Sequence, residues 1–82
     1  HGQQAVNRRV LFEAPGPAGQ KRVYAEIERL EQIYLKSRKR KLPPDLFSVS
    51  HGGTREAPTY GLVAYYTTAQ AEDVRFLADN LT

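Results

Sequence analysis

The chain contains no cysteine, no methionine and no tryptophan. Without cysteine there is no disulfide framework, no thiolate metal site and no cysteine nucleophile. No apolar run approaches the roughly 18 residues of a membrane-spanning helix, and no N-terminal segment has the charged-then-apolar order of a signal peptide. These absences lead us to expect an intracellular, cytoplasmic location with no membrane contact. A chain without an initiator methionine is expected to be trimmed, either a processed product or a domain excised from a larger protein, and His1-Gly2 reads as a tag remnant. What is present is ordinary globular composition: 82 residues, 40% hydrophobic and 26% charged, enough for one small domain.

The net charge of +3 is unevenly placed. Residues 1–35 carry a net +1, residues 36–41 carry +5, and residues 42–82 carry −3. The basic excess is therefore one run, Lys36-Ser37-Arg38-Lys39-Arg40-Lys41, set against an acidic C-terminal half.

Hydrophobic periodicity divides the chain into five elements. Residues 1–5 show no pattern and are expected to be a disordered end, leaving 6–82 as the folded unit. Val6 to Glu13 alternates as a strand, with Val6, Arg8, Val10 and Phe12 on one face. The Pro/Gly-rich stretch from Ala14 to Gly19 reads as a loop. From about Gln20 to Lys41 the residues Val23, Ile27, Leu30 and Tyr34 recur at helical spacing, while Glu26, Glu28 and Glu31 read as a solvated, salt-bridged surface. Pro43-Pro44 ends this helix, which puts the basic run in its last turns, where the helix dipole favours cations. Leu46 to Ser50 reads as a short strand, His51 to Pro58 as an eight-residue hairpin loop, and Thr59 to Thr67 as a strand rich in aromatic and β-branched residues. A last helix starts near Thr68, with Thr67 or Thr68 as its cap and Val74, Leu77, Ala78 and Leu81 as its apolar face.

The order β-α-β-β-α predicts a small α+β domain: a three-stranded sheet with two helices packed on one face. It is a ferredoxin-like split β-α-β unit lacking the last strand. The other sheet face and an edge are left open, where a protein partner or a second copy of the chain would fit.

Two features carry functional expectations. Lys36, Arg38, Lys39, Arg40 and Lys41 are suited to phosphate contact, with Arg8, Arg9 and Arg55 as possible extensions of the patch. The alternatives for that run are a silent, solvated helix end or an acidic protein or lipid surface as partner. The tyrosines Tyr60 and Tyr65 are candidates for base stacking; the alternative is core and edge packing.

The segment Tyr60-Gly61-Leu62-Val63-Ala64-Tyr65, followed by a helix holding Ala71-Glu72-Asp73, resembles the RNP1 strand and second helix of the RNA-recognition motif. The element order matches over most of the chain. Departures stand at Pro58 and Thr59, where a basic residue and a glycine are usual, at Leu62, where a stacking aromatic is usual, and in the missing fourth strand. Val10-Leu11-Phe12 offers only a loose RNP2. The resemblance implies RNA as a partner.

Other chemistries find little support. Gly16 and Gly19 are too close together, and Lys21 is followed by Arg22, so no P-loop is formed. Two histidines without an acidic cluster make no metal constellation, and adjacent Ser50 and His51 point to opposite faces of a strand. The expectation is a non-enzymatic module that binds DNA or RNA and has no cofactor and no metal. The rival expectation is a protein-interaction or regulatory module using an open sheet edge or face.

Overall fold

A computed structural model describes residues 6–81. The expected disordered end at residues 1–5 lies outside the described residues. The order is β1 (Asn7–Pro15), α1 (Gly16–Arg38), β2 (Phe47–Gly53), β3 (Pro58–Tyr66), a single 3-10 turn (Thr68–Gln70) and α2 (Ala71–Asp79). The three strands form one antiparallel sheet in the order β1-β3-β2, so β1 and β2 run parallel on either side of β3. This is the expected split β-α-β arrangement with both helices on one face. No helix of the described residues is long and apolar enough to cross a membrane.

The core lies between that face and the helices. Val23, Leu30 and Tyr34 of α1, Val74 and Leu77 of α2, and Leu62 and Ala64 of β3 are buried together with Leu46, which precedes β2. The α1 stripe read from spacing is the one that is buried, and so is the core of the α2 stripe. Glu26 departs from expectation. It lies on the buried side of α1, 6% exposed, and pairs with Arg29 at 2.7 Å. Its position explains this: Glu26 is three residues after Val23 and four before Leu30, on the stripe rather than beside it. Arg29 also donates to the Asn80 carbonyl beyond the end of α2.

The first strand departs from simple alternation. The register shifts between Val10 and Phe12, so Val10 faces Val63 while Phe12 faces Leu62. A bulge inserts one residue, here Leu11, and inverts the alternation beyond it. Phe12 therefore turns toward the helices, beneath the Arg22 guanidinium at 4.8 Å, and Val10 stays on the open face.

The Pro/Gly stretch is not a loop. The strand continues to Pro15 and the helix begins at once at Gly16, whose φ of 72° makes the corner. Pro17 sits in the first helical turn, where no backbone N–H is needed. Gly19 packs directly on the Ala14 carbonyl, where a Cβ would collide. At the other end α1 stops at Arg38, earlier than the spacing suggested. Lys39 adopts a left-handed conformation (φ 61°) and its N–H donates to the Leu35 carbonyl at 2.9 Å.

The hairpin is tighter than expected. His51, Gly52 and Gly53 extend β2, paired with Tyr60, Thr59 and Pro58, which leaves a turn of only Thr54 to Ala57. Thr54 closes it, its N–H donating to the Ala57 carbonyl at 3.2 Å and its Oγ1 accepting from the Ala57 N–H at 3.0 Å.

At an exposed helix position, Gly→Ala stabilises by about 1 kcal/mol through helix propensity. At Gly19 the sign should reverse. The clash with Ala14 should make Gly19→Ala destabilising by about 1–3 kcal/mol, seen as a lower urea midpoint. A raised midpoint would show that β1 and α1 do not meet as described.

Candidate functional site

Chain direction divides the domain into two ends. β1 and β2 begin, β3 and α1 finish, and α2 starts at one end, so Arg8, Arg9, the basic run and Tyr65 lie there. The β2–β3 turn lies at the other, with Arg55, His51 and Tyr60. Nine-residue β3 separates the two by roughly 25–30 Å. The structure thus does not bring the candidates into one patch: Arg55 and Tyr60 are remote from Lys36–Lys41.

Within the basic run the five cations fall into two groups. Arg38 Nε lies 3.1 Å from one oxygen of Asp73, and Arg40 Nη2 lies 3.4 Å from the other. The Arg38 guanidinium also lies over the Phe76 ring at 4.5 Å and that of Arg40 over Tyr34 at 5.6 Å. Tyr34 completes the cluster, its hydroxyl donating to Asp73 Oδ2 at 2.9 Å. Asp73 stands in the first turn of α2, where the helix dipole favours its charge. Burial pushes the Tyr34 phenol above its ordinary pKa, and the hydrogen bond to Asp73 pushes it further, against an opposing effect of Arg40. The two arginines are therefore parts of a brace between helices. Lys36, Lys39 and Lys41 are exposed, and among the described residues no ion pair joins them to a carboxylate.

The basic end adjoins the open sheet face. Tyr65, 40% exposed, points there beside Val10, 39% exposed, and its hydroxyl accepts from Arg8 Nε at 3.3 Å. Arg9 is exposed at the same end but opposite Ala64, on the helix side of β1.

The strand that resembles RNP1 faces the wrong way for that role. Tyr60 and Leu62 would have to look outward to stack on bases. Leu62 is fully buried beneath the helices, and Tyr60, on the same face, is half-buried and stacks on His51. The other face of β3 carries Thr59, Gly61, Val63 and Tyr65 instead, a single aromatic, and Gly61 and Val63 there are themselves buried. Phe12, in the loose RNP2, is likewise turned inward by the bulge. Sequence reasoning missed Asp73 as the partner of the basic run. The available signal was an acidic residue at the start of the last helix, which lies close to the end of the first when the two helices run antiparallel.

Replacing Asp73 with Asn should test the brace. The phenol of Tyr34 should titrate closer to its ordinary value, and the domain should lose about 1–2 kcal/mol in urea melts, since these groups are only partly buried. In the unchanged protein the raised phenol pKa contributes a loss of stability at alkaline pH. The stability it contributes is full below the unfolded-state pKa, near 10, and is lost as pH rises through the higher folded value. Tyr34→Phe should remove that loss, and a stability curve of equal alkaline slope in the two proteins would contradict it. Compared with known proteins, the chain matches no family model, no curated protein and no solved structure.

Proposed function

We propose that the domain is a non-enzymatic module that binds the phosphate backbone of a nucleic acid through its basic end. The observation that carries this reading is the sorting of the basic run. Lys36, in the last turn of α1, and Lys39 and Lys41, in the segment that leaves it, stay exposed and, among the described residues, unpaired with carboxylates, while Arg38 and Arg40 between them reach Asp73. A helix end needs no more than one or two cations to offset its dipole, and the last turn of α1 already holds Lys36 and Arg38. Lys39 and Lys41 follow beyond the helix, and with Lys36 and the exposed Arg9 at the same end they present positive charge to the solvent, with no carboxylate paired to the lysines among the described residues.

The chemistry is that of backbone contact. Lysine ammonium groups neutralise phosphates as point charges and release counterions, with no reading of base sequence. Tyr65 at the margin of the open face adds one ring for an unpaired base, which favours single strands over duplex.

The second reading, a protein-interaction module, is favoured by one specific observation. The outer edges of β1 and β2 have no strand beside them among the described residues, and the open face carries the exposed Val10 and Tyr65. Such a surface binds in a way that substitutions in the basic run leave unchanged.

A salt series with single-stranded DNA and RNA separates the two. Each single-strand phosphate contact contributes roughly 0.7 to the slope of log K against log salt. Changing Lys36, Lys39 and Lys41 together to Ala should lower that slope by about 2 and weaken binding to every sequence alike. Absence of binding at low salt, or an unchanged slope in the triple variant, would overturn the reading.

A further inference from the structure

The residues at the hairpin end are too far from the basic run to extend it, yet they form a site of their own. A groove of about 450 Å³ lies there, lined by His51, Gly52, Gly53, Thr54, Arg55 and Tyr60 among others. The groove is open to solvent rather than an enclosed cavity, so a ligand there would be held by one face and one edge. We propose that this groove holds one unpaired nucleobase together with its phosphate, as a second and separate contact for the nucleic acid. The inference rests on the nucleic-acid reading above.

Three chemical features meet here. The first is a flat aromatic platform. His51 and Tyr60 are a direct cross-strand pair, with ring centroids 4.9 Å apart and planes within 13° of parallel. Tyr60 belongs to the central strand and is half-buried, whereas His51 belongs to an edge strand and is exposed. The stack thus starts in the sheet and ends at the solvent, where a planar ring placed on the imidazole would continue it. Base–aromatic stacking contributes roughly 1–3 kcal/mol per base and accepts any base.

The second feature is open backbone. β2 pairs on one side only, and at Gly52 and Gly53 no side chain shields the unpaired side. Alternate residues of an edge strand turn their peptide N–H and C=O groups away from the ladder, so one of these two adjacent glycines offers bare backbone to the polar edge of a base. Gly53 also has a φ of 77°, and a Cβ on it would strike the Ala57 carbonyl, so the bare backbone is built into the turn.

The third feature is a cation. Arg55 stands in the four-residue turn, exposed, and among the described residues no ion pair takes its guanidinium. Arginine matches a phosphate with two parallel hydrogen bonds. A ring, a polar edge and a phosphate fork are the complement of a nucleotide, and a hairpin stabilised for its own sake needs only the cross-strand stack.

The test is a titration of the whole chain with adenosine and uridine 5′-monophosphates, followed by amide and imidazole NMR shifts. Saturable shifts at His51, Gly52, Gly53 and Arg55 with both nucleotides are expected, and smaller ones with inorganic phosphate alone. His51→Ala with Arg55→Ala should weaken this binding by about tenfold or more, while His51→Phe, which keeps the platform, should retain it. Both residues are exposed, so the double variant should keep the core signals of Leu62 and Leu77, which verifies folding. Changing Lys36, Lys39 and Lys41 should leave the mononucleotide shifts intact. Hairpin signals that stay unmoved by mononucleotides and by a longer single strand would overturn the inference, and so would equal affinity in the double variant. If, in that case, the longer strand still binds with a salt slope set by the three lysines, the basic-end reading stands alone. If no strand binds at all, that reading fails first.

Discussion

The carboxylate of Asp73 is where the two helices of this domain are tied. A hydroxyl from the buried face of α1 and two guanidinium groups from its end converge on it, and the aromatic rings of Tyr34 and Phe76 lie under those guanidiniums. Each group answers a need of another. The carboxylate sits at the favourable pole of α2, the buried phenol gains an acceptor, and the arginines gain both a counter-charge and an apolar bed for their flat cations. Arg38 and Arg40 flank the left-handed turn at Lys39, so the brace spans the point where the chain leaves α1.

A second polar tie lies further along the same helix pair. Glu26 is drawn under the edge of the core and holds Arg29, which reaches the Asn80 carbonyl past the end of α2. The two helices therefore run antiparallel, clamped by charge near both ends of α2, with Leu30, Val74 and Leu77 packed between. A domain of this size buries a smaller share of its surface than a large one, so ties of a kcal/mol or two weigh heavily. The sheet beneath contributes the rigid frame that separates the basic end from the hairpin end.

How far the sequence could be read depended on whether local pattern or tertiary context decided each element. The stripes Val23-Ile27-Leu30-Tyr34 and Val74-Leu77 are local periodicities, and they gave the helix faces and the α+β architecture correctly. The bulge at Leu11 is a one-residue insertion that composition does not announce, so the faces of β1 inverted beyond it. Ala14 to Gly19 has the composition of a loop, because Pro and Gly most often break regular structure. In place, each meets a specific need: Gly16 a positive φ, Pro17 a first helical turn, Gly19 a close contact with the Ala14 carbonyl. His51-Gly52-Gly53 looked like loop because glycine is rare in strands, yet the register with Tyr60, Thr59 and Pro58 keeps it in the ladder. For the candidate site, charge content was legible and charge partnership was not. Five cations in six residues look alike in a sequence, and only the packing of α2 against α1 distinguishes the arginines that reach Asp73, half-buried Arg38 and exposed Arg40, from lysines that pair with no carboxylate among the described residues.

That distinction is the centre of the proposed function, and it can be observed one side chain at a time. NMR of the lysine ammonium and arginine Nε–H groups, during addition of a single-stranded oligonucleotide at low salt, reports each cation separately. The account predicts that Lys36, Lys39 and Lys41 shift on binding while the Arg38 Nε–H keeps its position and slow exchange, still bonded to Asp73. Movement of Arg38 and Arg40 off Asp73 onto the added strand, with the lysines unmoved, would contradict it.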